Sequence, residues 1–104
     1  MNNQVWKFST KEALEGRNGN IVSIIMPRDA KIIYIAEQNN DICIWAVVNP
    51  EAEKVERSFE IIGTGHLFEC DESLTYIGSA QVHDGSFVFH IFEKWADAYK
   101  IKIN

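Results

Sequence analysis

Gly63-Thr64-Gly65-His66 is the segment whose residue types best suit a ligand. Two glycines around a hydroxyl residue let the backbone turn tightly and aim N–H groups outward, a geometry that holds phosphate and other anions. The same four residues also read as a plain turn between strands, with glycine meeting a demand for positive φ. No Lys-Ser/Thr follows and no helix opens there, so this is not a P-loop. A dinucleotide fingerprint would need three spaced glycines in a strand–turn–helix unit. Just upstream, alternation sets Val55, Arg57, Phe59 and Ile61 against Glu56, Ser58, Glu60 and Ile62. Arg57 therefore lies on the apolar side of its strand. There it either pairs with a carboxylate or reaches an anionic ligand.

Other chemistry is harder to assemble. His66, His83 and His90 lie 17 and 7 residues apart, and His90 sits inside an apolar run. Zinc ligands usually come in closely spaced pairs, so a satisfied histidine is expected and no metal. Ser73, Ser79 and Ser86 lie outside any nucleophile elbow. The carboxylates of residues 51–60 read as a solvated charged face. Cys43, between Ile42 and Ile44, reads as a small buried hydrophobe. Cys70 stands among Glu69, Asp71 and Glu72, where negative charge discourages a thiolate. Trp6, Trp45 and Trp95 read chiefly as core or interface residues, with base stacking as the functional alternative. No catalytic constellation emerges, and the chain is expected to be non-enzymatic and without a cofactor.

The composition bounds what can hold these groups. With 104 residues, 46% hydrophobic and 12% aromatic, the chain is expected to form one ordered domain over residues 1–104. Ten basic residues face fifteen acidic ones, a net charge of −5. The excess falls in residues 49–104, while residues 1–48 balance. An acidic domain lacks the footprint that long nucleic acid requires. A small anion can still be held locally, and Arg28 and Lys31 join Arg57 as candidates. No apolar run is long enough to span a membrane, and MNNQVWKF lacks a secretory signal. Two cysteines do not make a disulfide scaffold. A cytoplasmic protein is expected.

Short β-like runs must position the candidates. Gln4–Phe8, Ile21–Met26, Lys31–Gln38, Asp41–Val48, Val55–Ile62, Leu74–Val82 and Ser86–Phe92 alternate with turn signals. Asn39-Asn40 or Asn40-Asp41 predicts one hairpin and His83-Asp84-Gly85 another. Lys11–Glu15 allows one helical turn. Asn49-Pro50-Glu51-Ala52-Glu53 reads as a capped helical turn, with Asn49 as N-cap. Glu93–Ile103 predicts a short C-terminal helix, with an extended tail from Lys100 as the alternative. The expected fold is mainly β: an antiparallel sandwich or barrel of about seven strands with that helix. Residues 42–48 and 87–92 are apolar on both alternating faces, so their second face is expected to be covered. The terminal helix or another subunit would do this, and a homo-oligomer is favoured.

The elements VWKF (5–8), MPRDAKI (26–32), CIWAVVNPEAE (43–53), RSFEIIGTGH (57–66), YIGSAQ (76–81) and FVFHIFE (87–93) follow one another in a recognisable order. In this order they resemble a family of short phage and bacterial proteins of unknown function. The resemblance covers most of residues 5–93, with residues 9–20 and the tail after Glu93 as local additions. It implies a single compact domain in a phage-like setting and transfers no reaction. Small acidic phage proteins without catalytic groups include sponges that sequester nucleotide immune messengers. Cyclic dinucleotides of CBASS defence and the cyclised ADP-ribose of Thoeris are such messengers. The function expected from the resemblance is therefore an anti-CBASS-like sponge for a small anionic ligand. Gly63, Thr64, Gly65 and His66 would offer backbone donors, Arg57, Arg28 and Lys31 charge, and Tyr34, Trp45 or Tyr76 a stacking face. The alternative is a structural or host-protein-interaction module that binds through an apolar patch or an acidic surface.

Overall fold

The computed structural model describes residues 2–11, 20–95 and 100–101. Within them the alternating runs become strands: β1 (Gln4–Ser9), β2 (Ile21–Pro27), β3 (Lys31–Gln38), β4 (Asp41–Val48), β5 (Lys54–Gly63), β6 (Leu74–Val82), β7 (Phe87–Lys94) and the two-residue β8 (Lys100–Ile101). All pairings are antiparallel. The smaller sheet has the order β1-β4-β3, and the larger β2-β5-β7-β6, with β8 pairing β5. Neither sheet closes on itself, so of the two architectures expected this is the sandwich.

The turns follow from residues that tolerate positive φ. Asn39 and Asn40 take φ 55° and 62° between β3 and β4, the two-residue geometry that matches strand twist. His83, Asp84 and Gly85 take 53°, 55° and 86°, and the Ser86 amide donates to the His83 carbonyl at 3.0 Å. At residues 49–53 the chain makes a β-turn where a helical turn is expected. The Ala52 amide donates to the Asn49 carbonyl, while Asn49 Oδ1 caps the Glu51 amide at 3.1 Å. The second bond is the capping role foreseen for Asn49. Proline at the turn's second position then supplies the required φ.

The expected C-terminal helix is not shown among the described residues. Glu93 and Lys94 close β7, and Lys100–Ile101 is extended along β5. At both of these described ends ladder pairing prevails over the helical period. Residues 96–99 and 102–103 of that expectation, and residues 12–15 of the expected turn at Lys11–Glu15, lie outside the described residues. Among the described residues no helix is long and apolar enough to cross a membrane.

Both sheets contribute to one core. Ile42, Ile44, Ala46 and Val48 point inward from β4, Val22, Ile24 and Met26 from β2, and Phe59, Ile61 and Ile91 from β5 and β7. Fully burying a side chain such as Phe59 or Ile44 stabilises by about 1.5–3 kcal/mol each. Cys43 is buried, as its neighbours in sequence imply. Where β3 approaches β6 the sheets come closest. A Cβ on Gly78 would stand 2.7 Å from Ile35 Cγ1, so only glycine fits that crossing. Register shifts at Ile33 and Ile77 interrupt both ladders close to this crossing.

Candidate binding face

Antiparallel partners share a face, so the register builds the outer surface of the larger sheet row by row. One row runs Glu60, Phe92, Tyr76, and the next Ile62, His90, Ser79. The loop after β5 adds Phe68. Its ring lies 5.4 Å from Phe92, and Tyr76 meets Phe92 edge-on at 5.6 Å. Tyr76 is 57% exposed and Phe68 37%, and Leu67 beside Phe68 is open to solvent.

Beside the rings runs a chain of hydrogen-bonding groups. Tyr76 Oη lies 2.7 Å from Ser79 Oγ, Ser79 Oγ 2.9 Å from His90 Nδ1, and His90 Nε2 2.8 Å from Thr64 Oγ1. Both ring nitrogens of His90 are thus held by hydroxyls, which fixes the imidazole plane. A nucleophilic triad would place a carboxylate behind the histidine, and here a threonine hydroxyl stands instead. The arrangement orients polar groups beside an aromatic surface. Among the described residues no group of three or more His, Cys, Asp or Glu side chains is placed to hold a metal ion.

Gly63–His66 forms a tight turn at the edge of this face. The His66 amide donates to the Gly63 carbonyl at 3.0 Å, and Gly65 takes φ 89°. The Thr64 amide donates to the Val88 carbonyl at 3.1 Å. Two of the donors expected to converge on an anion are therefore used within the fold. His66 folds its ring over Gly63, where a Cβ would meet it at 3.1 Å.

The remaining candidates are dispersed. Arg57 is 4% exposed and inside the sandwich. Its Nε and Nη2 donate to the two carboxylate oxygens of Glu93 at 2.7 Å each, and Nη1 donates to the Ala30 carbonyl at 2.6 Å. Of the two roles open to Arg57, pairing with a carboxylate is the one present. Arg28, in an exposed pair with Glu53 at 2.6 Å, and Lys31 sit beyond the start of β5, at the opposite end from Gly63–His66. Ten residues of strand separate those ends by about 30 Å. Tyr34 and Trp45, 5.5 Å apart, lie on the outer face of the other sheet. Of the ten named residues, Gly63, Thr64, Gly65, His66 and Tyr76 share this face, while Tyr34 and Trp45 meet each other on the opposite sheet. Sequence reasoning missed Ser79, His90, Phe68 and Phe92. Ser79 and His90 were legible only as residues on alternating strands, because their meeting depends on the β6–β7 register.

The loop that carries Phe68 is pinned at Asp71. The Ser73 hydroxyl and amide both donate to Asp71 Oδ1, the amide at 2.8 Å, and hold its carboxyl below the ordinary aspartate value. A depressed folded pKa contributes stability that is complete above the unfolded value and lost as pH falls through the folded one. A side-chain NMR titration is expected to place the Asp71 midpoint below that of a peptide aspartate. Ser73→Ala, which removes the larger cause, should move it back up.

Fold and face together define the class: an open, antiparallel two-sheet sandwich with an aromatic, hydroxyl-lined patch on one outer face. Residues 1–102 match the model of a family described as Domain of unknown function (DUF7352), and the chain belongs to that family. No curated protein and no solved structure matches the chain.

Proposed function

We propose that this protein is a non-enzymatic binding module that takes a partner protein on the outer face of β5, β7 and β6. The observation that carries this reading is the exposed cluster Phe68–Phe92–Tyr76 on a sheet face. Aromatic side chains with a polar handle are the usual anchors of such contacts. Glu60 shares the row of Phe92 and Tyr76, and Glu69, Asp71 and Glu72 follow Phe68 in the loop. An aromatic patch bordered by carboxylates suits a partner segment carrying Lys or Arg among apolar residues. In the phage setting that the motif order implies, such a partner would be a host protein in the cytoplasm.

The test is affinity capture with Tyr76→Glu, compared with Tyr34→Glu on the opposite sheet. Both side chains are more than half exposed, so both variants should fold. A specific partner should be lost with Tyr76→Glu, kept with Tyr34→Glu, and released by moderate salt. Equal recovery with both variants would sink the reading.

A sponge for a cyclic nucleotide has one supporting observation. The Tyr76–Ser79–His90–Thr64 chain beside the rings offers stacking and hydrogen bonds for a base. Its weak point is charge, since Arg57, Arg28 and Lys31 stand elsewhere, and Lys94, in the row beyond Phe92, already acts on the Asp71 carboxylate. Calorimetry with cyclic dinucleotides and cyclic ADP-ribose separates the two readings. Self-association, also expected from the sequence, has its support on the smaller sheet. There Tyr34, 61% exposed, lies beside Trp45, and Val5, 55% exposed, pairs with Val47 in the next row of the same face. Native mass spectrometry of the Tyr34→Glu variant reads that directly.

A further inference from the structure

At the end of the sandwich that carries the β3–β4 and β6–β7 turns, the sheets part around a cavity of about 350 Å3. Ile42 lines it from the smaller sheet, and Ile61, Val82 and Phe89 from the larger. Lys11, Asn40, Asp41 and His83 form its rim. None of these residues belongs to the aromatic outer face, so the cavity is a separate place.

We propose that this cavity binds a small neutral molecule with a flat apolar body and a single hydrogen-bonding head. The size and the mostly apolar floor are those of small-molecule sites, which run from about 300 to 1,000 Å3. One wall is aromatic. The His83 and Phe87 rings meet edge-on at 5.7 Å, and Phe87 stacks near Phe89 at 6.4 Å. Phe87 is 55% exposed, an apolar ring facing solvent unless something flat lies against it.

The rim argues for neutrality. Lys11 and Asp41 balance each other, and Asp41 Oδ1 already accepts the Lys11 amide at 3.1 Å. An ion entering the apolar floor would lose its hydration without a matching excess of opposite charge. A neutral head is better served. Asn40 Oδ1 accepts the His83 amide at 3.2 Å, which orients that side chain across the mouth. Its amide nitrogen then offers a donor, and the His83 imidazole a donor or acceptor.

The test is an NMR titration of isotope-labelled protein with naphthol, and with naphthoate and naphthylmethylammonium as charged comparators of the same shape. Naphthol should give saturable shifts at the amides of Ile42, Ile61, Val82 and His83, and bind more tightly than either ion. Phe87→Ala removes an exposed ring, so the fold should persist while naphthol binding weakens about three- to tenfold. Four results would overturn the proposal: no saturation, shifts centred on Tyr76 and His90, unchanged affinity in Phe87→Ala, or a charged comparator binding more tightly.

Discussion

Glu93→Ala is expected to lower the unfolding free energy by about 3–5 kcal/mol, the usual cost of stripping one partner from a buried ion pair. Glu93 is 2% exposed and Arg57 4%, and the pair is bidentate. Without the carboxylate, a guanidinium that cannot lose its proton remains inside the sandwich, and the bidentate pairing that matched its charge there is gone, although contacts such as that to the Ala30 carbonyl stay. Domains of this size are stable by only about 5–15 kcal/mol, so the variant should lie near the edge of folding. Urea denaturation followed by tryptophan fluorescence measures the loss. The converse experiment separates charge from shape. In Arg57→Met/Glu93→Leu both charges go and apolar volume replaces them, which is often neutral or stabilising. The double variant should therefore recover most of the stability that Glu93→Ala loses. If it is as unstable as the single variant, the pair contributes through something other than mutual neutralisation.

Gly78→Ala is the second large effect, and its sign is opposite to what strand propensity suggests. Alanine in a strand interior would ordinarily be preferred to glycine. Here the added methyl would stand 2.7 and 2.9 Å from Ile35 Cγ1 and Cβ, closer than such atoms approach. Both strands are fixed by their own sheets, so the sheets must separate or Ile35 must leave its rotamer. Overpacking of this kind costs about 1–3 kcal/mol. Thermal unfolding should show a Tm lower by about 4–8 °C for each kcal/mol lost. Ile35→Ala in the same chain removes Cγ1, the nearer obstructing atom, and frees the remaining Cβ to shift. The double variant should then be less destabilised than the sum of the singles, the mark of direct contact. Simple additivity would place the strain of Gly78→Ala elsewhere.

These two residues also show how far the sequence could be read. That Arg57 faces inward is written in the alternation of Val55, Phe59 and Ile61 around it. Which carboxylate meets it is not, because Glu93 lies 36 residues away on a strand whose register is set by packing. Gly78 looked like any glycine in a strand until the other sheet was laid against it. The same holds for the binding face. Gly63–His66 was legible as a tight turn, but the groups it meets, Val88 and His90, lie more than 20 residues on.

The C-terminal stretch was open for a different reason, and at Lys100–Ile101 the extended alternative is the one present. Its apolar residues fit a helical and an extended period equally well, and β5 offered an unpaired edge beside Val55 and Glu56. Strand positions, hairpin turns, the burial of Cys43 and the inward side of Arg57 are local matters of periodicity and backbone preference, and the sequence by itself determined them. Pairing order, register and the facing of the two sheets were decided only in the tertiary structure. A one-residue slip between strands moves every side chain to the opposite face, and no local preference of Ser79, His90 or Glu93 resists such a slip. The His83-Asp84-Gly85 turn fixes the register within the β6–β7 hairpin, and between β5 and β7, which no tight turn joins, burial of the core does.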